Sequence, residues 1–204
     1  KKILNLISII ASERRIKLKF MNKTIILIPS RLSANRLPNK PLLKINNLSL
    51  INHVFQKARS TEIGEVYVAT GDKKIFNEVT ENGGNCILTE RDHKTGTDRI
   101  FEAYEKLKLN NVNYIINLQG DEPMINIEDI KNLKHKAVQN KSGIATLACK
   151  IQDSLIYKDK NVVKVTTEKE LDEDNASAAK KFTRDLVYKK DLNIYHHIGI
   201  YMYE

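Results

Sequence analysis

Three cations, Arg31, Arg36 and Lys40, stand within ten residues of the segment IPSRLSANRLPNKPL (28–42), and no acid interrupts them. Arginine forks and a lysine point charge match phosphate oxygens, and the dense charge of a triphosphate calls for several of them at once. Pro29, Pro38 and Pro41 restrict the backbone between them, so the cations are held rather than waving. A solvated basic loop has the same composition, and the charge run alone leaves both readings open.

A second group follows the apolar run 114–118: Gln119, Gly120, Asp121, Glu122 and Pro123. A carboxylate at the carboxyl end of a buried strand is where a phosphate-bound Mg²⁺ would find a hard oxygen ligand. Gly120 permits close backbone approach there. A plain turn whose aspartate caps the next helix is the competing reading. The eight glycines stand at positions 64, 71, 83, 84, 96, 120, 143 and 199. Neither a G-x-G-x-x-G fingerprint nor a G-x-x-x-x-G-K-[ST] loop can be written on them, so any nucleotide is held by another device.

These groups need elements to aim them. Short apolar runs predict strands at 24–28, 66–69, 85–88, 114–118, 144–149, 162–165 and 194–203. Between them lie four stripes at helical spacing: Leu50, Ile51, Val54, Phe55 and Ala58; Ile75, Phe76 and Val79; Ile100, Tyr104 and Leu107; Ile127, Ile130, Leu133 and Ala137. The alternation predicts an α/β fold, a mostly parallel sheet with helices on both faces. Ligands in such sheets bind beyond the carboxyl ends of the strands, which singles out the loops after Ile28, Ala69 and Leu118. The polar stretch 166–181 reads as a mobile loop.

Composition bounds the rest. The chain has 204 residues, 41% of them hydrophobic and 29% charged, as in an ordinary globular domain. Cys86 and Cys149 are too few for a disulfide scaffold or a four-cysteine zinc site and are expected to pack as small buried hydrophobes. No apolar run reaches the roughly 18 residues a spanning helix needs. The net charge of +9 is uneven: residues 1–61 carry +12 and the remainder −3. A basic N-terminal third implies an anionic ligand, either a small phosphate or a nucleic acid. Residues 1–20 read as an N-terminal extension, with Met21 a candidate natural start and 21–204 a single domain.

The motifs IPSRLSANRLPNKPL (28–42), VATGD (68–72), DHKTGTDR (92–99), NLQGDEPMI (117–125), NVVKV (161–165) and HHIGIY (196–201) occur in an order that closely resembles the 3-deoxy-manno-octulosonate cytidylyltransferases, the CMP-Kdo synthetases. The resemblance covers about residues 23–204 and implies the Rossmann-like fold of nucleotide-diphospho-sugar transferases. It implies an enzyme that joins CTP to the acidic sugar Kdo, giving CMP-Kdo and pyrophosphate, with Mg²⁺ as cofactor. The sugar's anomeric hydroxyl attacks the α-phosphorus in line. Carried over residue by residue, Arg31, Arg36 and Lys40 hold the triphosphate and Asp121 binds the metal. Gly96 and Arg99 contact the cytosine, while Gln119, Arg184 and His197 hold the sugar. Thr95 and Asp98 also fit a helix capping box.

In a strand, neighbouring side chains face opposite ways, so His196 joins Ile198, Ile200 and Met202 as core and His197 joins Gly199 and Tyr201 as a site wall. His53, His93 and His135 lack metal-ligand spacing and read as structural or exposed.

The chain departs from the family at Ala34-Asn35, where a Ser-Thr pair is usual, leaving Ser33 to take over a phosphate contact. It also carries Asn39 in place of the usual glycine, and asparagine tolerates a left-handed backbone. The family has a further segment with a second metal-binding aspartate and part of a dimer interface. Without it the 204-residue chain is expected to be inactive or feeble, and a homodimer is expected at full length. The family's place is lipopolysaccharide synthesis in the bacterial cytoplasm, with no membrane and no nucleic-acid partner. Two alternatives share features of the sequence: a cytidylyltransferase for another acidic sugar, such as a sialic acid, and a nucleic-acid-binding module. Against the second, no aromatic run interleaves the cations as a stacking platform would require, and part of the basic excess lies in residues 1–20.

Overall fold

The computed structural model describes residues 23–33, 37–172, 175–185 and 192–204, so Arg36, with Ala34 and Asn35, lies outside the described residues, as does the 1–20 stretch. Its central strand is β1 (Thr24–Ser30), in which Ile25, Ile26, Leu27 and Ile28 are all fully buried. Such a run has no solvent face, as expected of a parallel strand covered by helices on both sides.

β1 pairs in parallel with β4 (Glu65–Thr70) and β6 (Tyr114–Leu118), and β4 pairs in parallel with β5 (Cys86–Leu88). Two short strands, β2 (Lys44–Ile45) and β3 (Leu48–Ser49), form a separate hairpin. Helices connect the parallel strands: α1 (Leu50–Arg59), α2 (Lys73–Glu81) and α3 (Gly96–Leu107), with α4 (Ile127–Gln139) following β6. Each of the four stripes seen in the sequence turns inward. Ile51, Val54 and Phe55 of α1, Ile75 and Val79 of α2, and Ile130 and Leu133 of α4 join Ile26 and Ile28 in one cluster. Ile100, Tyr104 and Leu107 of α3 cover Ile25 and Leu27 on the opposite face. Burying each such side chain stabilises the fold by about 1.5–3 kcal/mol.

Beyond β6 the sheet becomes antiparallel. β10 (Asn193–Tyr203) carries β7 (Ile144–Lys150) along one edge. Its other edge is shared between β6, against residues 200–203, and β8 (Lys164–Thr167), against 193–196. β9 (Ala179–Thr183) completes the sheet beside β8. This extension corrects the expected loop over 166–181: Thr166 and Thr167 lie in β8 and residues 179–181 in β9. Side chains of β9 are exposed, so its sequence carries no apolar alternation to mark it. The cysteine expectation also needs correcting, because Cys86 is only half-buried and Cys149, near the end of β7, is exposed.

Lys164 is fully buried in this extension. Its ammonium donates to the carbonyls of Asp159 (2.8 Å), Val162 (2.9 Å) and Arg184 (2.6 Å), which uses all three of its protons. A buried cation is tolerated only when so satisfied, and here it ties the turn before β8 to the end of β9. Lys164→Met takes the ammonium from all three carbonyls, of which Asp159 O keeps the Val162 amide (3.2 Å), and its urea unfolding midpoint is expected to fall by the equivalent of about 2–4 kcal/mol.

Candidate functional site

The carboxyl ends of β1 and β6 open side by side into a cleft of about 770 Å³, a size that suits a nucleotide. The segment leaving β1 supplies Arg31, Ser33 and Lys40; the segment leaving β6 supplies Gln119 and Asp121; the start of α3 supplies Gly96 and Arg99. Local chemistry explains each placement. Asn39 sits at φ 58°, in the left-handed region, and turns the chain into a single 3₁₀ turn, Lys40–Leu42, with Pro41 buried beneath. Leu32 N donates to Asp72 Oδ2 at 2.8 Å, so the first loop is anchored to the end of β4. A Cβ at Gly120 would stand 2.9 Å from the Pro29 carbonyl, so only glycine lets the two strand ends come this close.

The capping box at the start of α3 is present. Thr95 Oγ1 accepts from Asp98 N at 3.1 Å, and Asp98 Oδ2 accepts from Thr95 N at 3.1 Å.

Across the cleft, Lys40 Nζ donates to Asp121 Oδ2 at 2.8 Å. Both side chains are partly exposed, so this is a polar contact at the mouth of the cleft rather than a buried ion pair. Next to it, burial and the Asp121 carboxylate push Glu122 above its ordinary value, while Lys40 pulls it back. Among the described residues there is no cluster of three or more His, Cys, Asp or Glu side chains that would hold a metal alone.

Arg99 is 3% exposed, and its guanidinium is committed to the adjoining loop. It donates to Thr89 Oγ1 (2.6 Å), Glu90 O (2.9 Å) and Arg91 O (3.0 Å). Burial lowers its pKa, opposed by the carboxylate of Asp72. Arg99 therefore fixes the shape of one wall. His93, which no spacing rule singles out, also lines the cleft. Its Nε2 contacts Glu102 Oε2, and Glu102 also accepts from Glu90 N (3.0 Å) and Lys106 Nζ (2.6 Å). His53 is structural, its Nε2 lying 2.8 Å from Ile45 O.

The predicted residues thus divide. Arg31, Lys40, Gly96, Arg99, Gln119 and Asp121 line one cleft; Arg184 and His197 are not among its lining residues. Arg184 is exposed and donates to Lys160 O (3.2 Å) and Asn161 O (2.8 Å). His197, expected as a site wall, is 8% exposed, and His196, expected in the core, is only half-buried. The facing itself follows the alternation: the His197 ring lies 5.3 Å from that of Tyr201, while Ile198, Ile200 and Met202 pack in the core. His197 is buried because Phe182 of β9, edge-on at 5.0 Å, and Thr146 of β7 cover it. Burial also holds the His197 imidazole below its ordinary pKa, with His196 adding to the effect.

The cytidylyltransferase family profile matches residues 25–204. A 3-deoxy-manno-octulosonate cytidylyltransferase of Rhodopseudomonas palustris (strain BisB18) is 41% identical over 182 residues, 89% of this chain and 74% of that protein. One from Hahella chejuensis (strain KCTC 2396) is 37% identical, covering 90% and 75% respectively. Among solved structures, a CMP:2-keto-3-deoxy-manno-octonic acid synthetase complexed with CTP superposes with a TM-score of 0.78 at 34% identity, covering 90% of this chain and 74% of its own.

Glu102 supports the cleft wall in a pH-dependent way. Burial raises its carboxyl, but hydrogen bonds from Lys106, His93 and the Glu90 amide outweigh that and bring it down to about 2, from an ordinary 4.5. A depressed carboxylate stabilises the fold above its unfolded-state value and loses that effect as pH falls toward its folded one. Glu102→Gln is therefore expected to lower stability by about 1–2 kcal/mol at pH 7. The gap to the parent should close between pH 4.5 and 2, read from urea midpoints across that range.

Proposed function

The chain belongs to the 3-deoxy-manno-octulosonate cytidylyltransferase family, and we propose that its cleft is where the CMP moiety of CTP passes to Kdo, releasing pyrophosphate. The observation that carries this reading is the meeting of Arg31, Lys40 and Asp121 in one nucleotide-sized cleft, from chain segments some eighty residues or more apart.

In this reading Arg31 and Lys40, with Arg36, neutralise and orient the triphosphate so that the α-phosphorus faces the sugar. Catalysis of such displacements is mostly positioning and charge stabilisation. The anomeric hydroxyl oxygen of Kdo bonds to the α-phosphorus as the bond to the pyrophosphate oxygen breaks, and the hydroxyl proton is lost to water. Gly96, at the start of α3, and the loop held by Arg99 form the wall against the cytosine. Gln119 lies between nucleotide and sugar, and Arg184 and His197 lie on the sugar side.

A divalent cation fits the donors present. Asp121 offers a hard carboxylate at the cleft, and the ammonium of Lys40, 2.8 Å away, stands where a cation is stabilised. Mg²⁺ keeps several waters and takes one or two carboxylates plus phosphate oxygens, so it needs no protein cage. When bound there, it would neutralise phosphate charge and acidify a coordinated hydroxyl. With its charge on Asp121 replaced in that way, Lys40 would be free to hold the phosphates. We read residues 21–204 as one cytidylyltransferase domain acting in cytoplasmic lipopolysaccharide synthesis, homodimeric at full length.

Calorimetry with CTP, UTP, ATP and GTP is expected to give selective CTP binding. Arg31→Ala should weaken it about ten- to a hundredfold, since charge-assisted forks contribute roughly 1.5–3 kcal/mol each. Equal binding of all four nucleotides, or no effect of Arg31→Ala, would sink the clamp. Asp121→Asn should leave metal-free CTP binding in place and remove its Mg²⁺ dependence, lowering turnover by about 10²-fold or more.

A further inference from the structure

Thr146, in β7, is one strand away from any motif residue, yet its hydroxyl touches three groups of β10. It lies 2.6 Å from Ile200 O, 3.3 Å from Ile198 O and 2.9 Å from His197 Nε2. Ile198 and Ile200 belong to the stretch in which the β10–β7 register shifts, and His197 immediately precedes it. A hydroxyl has one proton to give. A carbonyl oxygen only accepts, so that proton goes to the carbonyls, with Ile200 O the nearer. Thr146 Oγ1 can then meet His197 Nε2 only as an acceptor, which makes Nε2 the protonated nitrogen of the ring.

The rest of the pocket around the ring suits the neutral form. Phe182 meets His197 edge-on with centroids 5.0 Å apart, and Tyr201 lies at 5.3 Å. No carboxylate is hydrogen-bonded or ion-paired to His197 among the described residues. With Nε2 donating to Thr146, the neutral ring presents Nδ1 as a bare acceptor, and no hydrogen bond to Nδ1 occurs among the described residues. Gly199, two residues on, places the strand against the Gln119 side chain, where a Cβ would be 3.3 Å from Cγ.

We propose that Thr146 is a positioning residue that holds His197 in the Nε2–H tautomer, so that Nδ1 accepts a hydrogen bond from a hydroxyl of the acidic sugar. This rests on the sugar-side placement of His197 proposed above. It fixes the sense of the contact: His197 reads a substrate donor and does not neutralise the carboxylate, a task left to a cation. A sugar lacking that hydroxyl, or carrying an acceptor in its place, is discriminated against, because a buried acceptor left without a donor is costly.

The test is long-range ¹H–¹⁵N correlation on the ¹⁵N-histidine-labelled chain, with His197 assigned by the signals lost in His197→Gln, followed by titration with Kdo. The expected result is a pyrrole-type Nε2 and a pyridine-type Nδ1 at neutral pH, with the Nδ1 resonance moving as Kdo binds. Thr146→Val, which keeps the shape and removes the hydroxyl, should mix the tautomers and weaken Kdo binding about tenfold. Thr146→Ser should restore both. A protonated Nδ1 in the unaltered chain overturns the assignment, and that measurement stands even if Thr146→Val fails to fold. Thr146→Val with an unchanged tautomer and unchanged affinity overturns the positioning role. An Nδ1 that stays still while Kdo saturates the chain overturns the sugar contact and the placement of His197 on the sugar side, with the tautomer intact. Absence of any Kdo binding, together with intact CTP binding, counts against the sugar contact in the same way.

Discussion

β1 and β6 run in parallel with Thr24 opposite Tyr114 and Leu27 opposite Asn117, so the segments leaving their carboxyl ends emerge together. That pairing is what turns a basic loop and an acidic turn, far apart in sequence, into facing walls of one cleft. It depends in turn on burial: four consecutive apolar residues of β1 have no exposure at all, and each helix that covers them arrives from a connection between parallel strands. Slipping the register by one residue would put each of these side chains on the wrong face and separate Lys40 from Asp121.

Charge in the site is arranged by the same logic. The cations at the mouth of the cleft are at least partly exposed, and Lys40 rests on Asp121. The buried cations, Arg99 and Lys164, are each held by three hydrogen bonds to backbone carbonyls or a threonine hydroxyl and serve as ties between loops. Exposed charge is available to a ligand at low desolvation cost, whereas buried charge satisfied by the chain holds shape. Arginine and lysine therefore have two occupations here, distinguished by their surroundings and not by their type.

Much of this was legible in the sequence, and the exceptions share a cause. The parallel half announced itself through apolar runs separated by amphipathic stripes, and the run 114–118 coincides with β6 to the residue. The capping box at Thr95 and the left-handed Asn39 were likewise readable, because both are local. What escaped were features made by distant partners. β9 is a strand only because β8 offers it a ladder. The burial of His197 follows from Phe182 of β9 and Thr146 of β7, partners that no alternation rule within β10 can contain. Of the cleft, one wall was written in the contiguous loop after β1; the His93–Glu102 contact and the use of Arg99 as a tie depend on how α3 meets the loop before it.

β10 is bound to β6, β7 and β8, all of which precede it in the chain. During synthesis the parallel strands can be assembled as they appear, each joined to its neighbour through one intervening helix, while β7 and the β8–β9 pair must wait unattached to the parallel strands until residues 193–203 have left the ribosome. Long-range pairing of this kind slows folding and leaves strand edges open in the interval. The order of manufacture thus makes the parallel half of the sheet the early product and the antiparallel half the late one, with β10 acting as the clasp.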